Sequence, residues 1–178
     1  MYNEKPQPRQ RLPIVPLDRR AFSFLIDFAA VWFTCSFITV SLIRWVIFIL
    51  TWLALRVIAV EKNQGQSLGR WALDMKIIEL RSRRIPDLMS LSKREGIVGG
   101  SALIAMIGLD MFFVNPFSTL ILVCPLLVVC GFAVSDQEYQ QALHDRVAGT
   151  VIVETRRGFS LDLRLQKIVA EIRYRVRK

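Results

Sequence analysis

Charge is nearly missing from two long stretches of this 178-residue chain. Between Ala21 and Val60 the charged residues are Asp27, Arg44 and Arg56, and between Gly96 and Val134 Asp110 stands alone. A soluble domain interleaves its charges with its apolar residues, so segregation on this scale excludes an ordinary soluble fold. Histidine is scarcer still, with His144 the single example. Without a second histidine, a cysteine cluster or Ser-His-Asp spacing, no metal centre, hydrolase triad or cofactor is expected, and the chain reads as a non-enzyme. The three cysteines, Cys35, Cys124 and Cys130, all fall inside apolar runs and read as small buried hydrophobes. Gly65 and Gly69 lack the spacing and strand context of a phosphate-binding loop. The first twenty residues contain four prolines and no apolar core of signal-peptide length, so no cleaved leader is expected.

What is present is 53% hydrophobic residues together with a net charge of +9. Of the 24 Lys and Arg, five lie in the N-terminal tail, eight between 61 and 95 and nine beyond 135. Lys and Arg resist translocation, so these blocks place both termini and the centre of the chain in the cytoplasm and require an even number of spans. Nucleic-acid binding, the other reading of a basic chain, needs a basic face on a soluble surface and is set aside.

Four spans satisfy the pattern, at about 21–43, 45–60, 96–114 and 117–134. A helix needs ~20 apolar residues to cross a bilayer. Arg44 and Trp45 mark the first turn, as a charge and an interfacial aromatic would. A single helix from 21 to 60 is the competing reading and leaves Arg44 stranded. Arg56 lies one turn from the polar end of the short second run and is expected to snorkel to the headgroups. Ser67 reads as the N-cap of a helical turn reaching Ala72, Met75–Leu80 as a short strand, and Thr150–Val153 as a second strand able to pair with it. Asn115 and Pro116 form a turn, and Pro125 sits inside the fourth run as an expected kink. From Leu161 onward apolar residues recur at helical spacing, with Arg164, Lys167, Arg173, Arg175 and Arg177 between them. That is a basic amphipathic helix suited to an anionic leaflet or to a partner protein.

The expected fold class is therefore all-α integral membrane: a four-transmembrane-helix bundle with a small two-stranded cytoplasmic β element and a C-terminal amphipathic helix. Residues 1–18 are an extended tail, 19–155 the membrane domain and 156–178 the basic helix. Gly96 and Gly100 are spaced for close helix packing, within the chain or between copies of it.

Asp27 is the most informative residue. It lies about two turns into the first apolar run, where an ionised carboxylate needs a partner or water. Arg20, two turns earlier, falls on the same helical face about 10 Å away, whereas Arg19 is rotated off that face. Asp27 then serves either as a polar site for an ion or small solute, or as a buried contact that fixes helix packing. His144 beside Asp145 suits a proton shuttle or a loop-ordering hydrogen bond, and the second is favoured for want of partners. Asp110 belongs near the opposite end and outside the Asp27 site.

Three segments together carry a resemblance. The run Arg20-Ala21-Phe22-Ser23-Phe24-Leu25-Ile26-Asp27, then Ser67-Leu68-Gly69-Arg70, then Leu143-His144-Asp145-Arg146 with Gly149-Thr150 resemble, in order and spacing, the motifs of the RDD family over about residues 17–155. That family is named for an arginine and two aspartates, and the resemblance assigns these to Arg20, Asp27 and Asp145. Its middle motif usually ends in lysine, so Arg70 keeps the charge and changes its geometry. The resemblance implies a small polytopic membrane protein that transports an ion or small solute. The residues themselves equally suit a non-catalytic accessory subunit or assembly factor, in contact with lipid and within a homo-oligomer or larger membrane complex.

Overall fold

The computed structural model describes residues 12–136 and 139–155. The basic helix expected beyond Leu161, with Arg164, Lys167, Arg173, Arg175 and Arg177, lies outside the described residues.

Helix α1 spans Leu17–Cys35, and Ser23, Asp27, Val31 and Cys35 form its buried face at steps of four. After the turn at 36–40, α2 runs from Ser41 to Leu53 and continues through a π-helical turn, Ala54–Ile58, into α3, Ala59–Lys62. The two legs are antiparallel: Phe24 packs edge-on against Trp52, and Phe28 against Phe48. The chain thus makes a hairpin rather than one long helix. Its turn falls before Arg44, which sits inside α2 and pairs with Asp110 at 2.7 Å.

The π turn has a geometric consequence. Phe48, Trp52, Arg56 and Val60 are all buried, at steps of four. In a regular helix each such step overshoots by about 40°. One wider turn takes back that drift and keeps the four side chains on a single face.

Short elements follow. Helix α4, Leu68–Ala72, starts at Ser67, whose hydroxyl accepts from the Arg70 N–H as expected of an N-cap. Strand β1, Met75–Glu79, pairs antiparallel with β2, Thr150–Glu154, from Met75 opposite Glu154 to Glu79 opposite Thr150. The tail joins this sheet through a bridge from Ile14 to Val153, and Val15 is fully buried. So α1 begins before residue 19, and the last residues of the expected extended tail are packed. Helix α5, Leu88–Asp110, is capped by Asp87, and α6, Pro116–Ser135, by Asn115 with Pro116 in its first turn. Helix α7, Leu143–Ala148, ends at Gly149 in the left-handed region, a conformation that glycine adopts without strain.

The main core joins α1, α2 and α5 through Val31, Cys35, Phe48, Trp52, Val98, Ala102 and Met106. Among the described residues two segments are long and apolar enough to cross a membrane: Ser41–Lys62, with mean hydropathy 2.0, and Pro116–Val134, with 2.5. Only 11% of the second segment's window is buried, the reverse of a soluble protein's core helix. Cys124 is exposed on that segment, against the expectation of burial, because α6 packs one face on α5 and leaves the rest open.

Glycine placement also departs from expectation. A Cβ on Gly96 or Gly100 would meet nothing within 4 Å among the described residues, so neither mediates packing between the described helices. The close approaches are at Gly99, where a Cβ would lie 2.7 Å from the Trp52 indole, and at Gly108, 2.8 Å from the Leu122 Cβ. The face of α5 that meets α2 and α6 is one residue away from the one the spacing suggested.

Candidate functional site

Three carboxylates and four arginines meet where α1, the π turn, α4, α5 and α7 converge. They are Asp27, Glu95 and Asp145 with Arg20, Arg56, Arg70 and Arg94, and every one but Arg20 is essentially removed from solvent. A buried carboxylate is tolerated only when its lone pairs are filled and its charge is matched.

Asp27 is fully buried on the inner face of α1. Its Oδ2 accepts from Arg56 Nη1 at 2.8 Å and from the Ser67 hydroxyl at 2.6 Å. Its Oδ1 accepts from the Gly69 backbone N–H at 2.7 Å. The carboxylate therefore sits across the first turn of α4, where free N–H groups favour an anion. This contact requires glycine at 69, since a Cβ there would lie 2.0 Å from the Ser23 carbonyl oxygen.

Glu95 is the centre of the network. Arg56 donates to it from Nε at 2.8 Å and Nη2 at 3.3 Å, Arg70 from Nη2 at 3.3 Å and Arg94 from Nη1 at 2.5 Å. The Trp52 indole N–H adds a bond at 3.2 Å. Arg56 also lies over the Trp52 ring, 5.0 Å from its centroid, and 5.6 Å from that of Phe24, a cation–π enclosure.

Asp145 anchors the far side. Its Oδ1 accepts from Arg94 Nε at 2.7 Å and its Oδ2 from Arg20 Nη2 at 2.6 Å. As the third residue of α7 it also reaches back to the Ala142 N–H at 3.4 Å, one half of a capping box. Arg20 Nη1 donates to the Gln140 carbonyl as well. Burial pushes the Asp145 carboxyl up, but Arg94, His144 and Arg20 overcome this and hold it well below the ordinary carboxylate range. Burial, offset only in part by Asp145, lowers His144 from 6.5 to about 4, so the ring is neutral at pH 7. Its Nε2 faces Arg94 Nη2 at 3.4 Å. That leaves the ring proton on Nδ1, which has no partner among the described residues.

These contacts supply the partners that the sequence left open. Arg20 and Asp27 share a helix, yet Arg20 pairs with Asp145 and Asp27 with Arg56. The end of α1 where Arg20 sits faces α7, whereas Asp27, two turns deeper, faces the π turn. Arg56 does not snorkel: it is 3% exposed, because the π turn directs it inward. Arg19, expected off the polar face, bonds Glu154 at 2.6 Å and the Leu73 carbonyl at 2.7 Å, fastening α1 to the sheet. Asp110 lies outside the network, in the pair with Arg44. Arg56, Arg94 and Glu95 were missed as site residues. A usable signal was present for Arg56, the one cation in the second apolar run able to meet a deep carboxylate on the first.

The arrangement links charges that lie far apart in sequence. Among the described residues no group of three His, Cys, Asp or Glu is placed to hold a metal ion. No curated protein and no solved structure matches the chain. The RDD family pattern matches residues 14–149, a stretch that includes Asp27, the Ser67–Arg70 turn and Asp145 together with Arg20, Arg56, Arg94 and Glu95. With well over half of its length matched, the chain belongs to the RDD family of membrane domains.

Proposed function

We propose that this chain is a non-catalytic membrane subunit or assembly factor whose buried charge network is a structural clamp. The observation that supports this most directly is the full coordination of Asp27 by Arg56, Ser67 and Gly69, from two other elements. A carboxylate so engaged fixes the relative placement of α1, α2 and α4. In this reading the chain crosses the bilayer four times with both termini and the sheet in the cytoplasm, because its basic residues concentrate there. Its open apolar faces contact lipid, further copies or partner membrane proteins, and its basic blocks face anionic lipid rather than nucleic acid. Native mass spectrometry after extraction in mild detergent is the test. A stoichiometric complex, homomeric or with a partner protein, is expected; recovery as a bare monomer across several mild detergents would overturn the proposal.

A second reading, transport of an ion or small solute, is favoured by the π turn at Ala54–Ile58. Such turns concentrate at functional positions, and this one carries a buried charge inside a candidate span. Flux into proteoliposomes decides it. Loss of flux in Asp27→Asn, with the variant still folded, supports transport, and equal flux in native and variant protein counts against it.

A further inference from the structure

We infer that the charge network holds a small monovalent anion, of the size of chloride, against the Arg70 guanidinium. The network connected by the bonds described above contains four arginines and three carboxylates, so with His144 neutral it is one positive charge in excess. The excess belongs to Arg70. Asp27 is matched chiefly by Arg56, Asp145 by Arg20 and Arg94, and Glu95 is shared among Arg56, Arg94 and Arg70. Arg70 receives the weakest share: one side-chain bond, 3.3 Å long, to an oxygen that Arg94 already occupies at 2.5 Å.

Arg70 is 2% exposed, and its Nη1 is a buried donor with no partner among the described residues. A second orphaned donor, the Nδ1 of His144, belongs to the same network. A buried guanidinium left with one long bond is costly, more so beside two other guanidinium groups. Burial and the neighbouring Arg94 and Arg56 lower it to about 9, outweighing Glu95 and Asp27, so it still carries its proton at pH 7. A small anion at Nη1 supplies both the absent acceptor and the absent charge. A buried water would supply only the acceptor, and a carboxylate from another segment would supply both without needing a solute.

The test separates these sources. Thermal unfolding of the full chain in detergent is followed in sodium chloride and in sodium gluconate at equal ionic strength, because gluconate is too large for an enclosed position. Chloride is expected to raise Tm with the logarithm of its concentration above Kd, by roughly 5–11 °C at a hundred times its Kd. Arg70→Gln is expected to lose the chloride-specific rise, and Arg70→Lys to keep part of it. Identical curves in the two salts, the result that water or an internal carboxylate would give, overturn the proposal, as does full chloride dependence in Arg70→Gln. Should Arg70→Gln fail to fold, bromide anomalous scattering from crystals of the native protein decides. A peak within hydrogen-bonding reach of Arg70 Nη1 supports the proposal, and no peak there at saturating bromide overturns it.

Discussion

Glu95→Gln is the sharpest single perturbation of this protein. The substitution keeps the shape of the side chain and removes its charge. Four donor groups, from Trp52, Arg56, Arg70 and Arg94, converge on the two oxygens. An amide can replace only one of those oxygens as an acceptor, and its NH2 would be directed at a guanidinium. The network would pass from one to two uncompensated positive charges. Removing one partner of a buried ion pair costs about 3–5 kcal/mol. For a chain of this size each kcal/mol moves Tm by about 2–4 °C, so a fall of roughly 6–20 °C is expected. Tryptophan fluorescence in detergent reads it directly, because the Trp52 indole is bonded to Glu95. The double variant Glu95→Gln/Arg70→Gln returns the count to one excess charge and should recover part of the loss, with a coupling of about 0.5–3 kcal/mol. A Tm within about 2 °C of native for Glu95→Gln would refute the view that this carboxylate neutralises the arginines around it.

Further outcomes follow from the same geometry. Gly69→Ala forces a Cβ onto the Ser23 carbonyl and pulls the Gly69 N–H from Asp27, so a loss of about 3 kcal/mol or more is expected in denaturant titration. Lowering of His144 to about 4 means that the unfolded chain takes up a proton first as pH falls. Stability contributed by the neutral ring is complete above about pH 6.5, declines by about 3 kcal/mol down to pH 4, and this decline should flatten in His144→Gln. By contrast, the Arg44–Asp110 pair is about a quarter exposed on each side, and Arg44→Gln should cost about 1 kcal/mol or less by the same fluorescence assay. Gly99→Ala should separate α2 from α5 at Trp52 and cost about 1–3 kcal/mol, whereas Gly100→Ala, facing open space, should be near neutral in Tm.

The sequence by itself determined the elements and the identity of several key residues. Apolar runs with excluded charge marked where helices lie but not where they end: α1 stops at Cys35 inside the run 21–43, and α5 begins at Leu88, ahead of the run that starts at 96. Strand segments 75–80 and 150–153 were legible from β-branching, and Ser67 from its capping chemistry, because these preferences act within a few residues. Asp27 stood out because a carboxylate in an apolar run must have a partner. Only the tertiary structure decided who the partners are. Helical periodicity put Arg20 and Asp27 on one face, but it does not say which element lies opposite each turn of that face. Arg20 meets α7 and Asp27 meets the π turn, so two residues two turns apart answer to different neighbours. The π turn itself has no local sequence mark, and without it Arg56 reads as a residue at the lipid boundary rather than a cation between Asp27 and Glu95. Gly99 rather than Gly96 or Gly100 lies at the contact with α2 because the rotation of α5 is set by Trp52 and by the ion pairs of Arg94 and Glu95, and spacing along one helix is blind to that rotation.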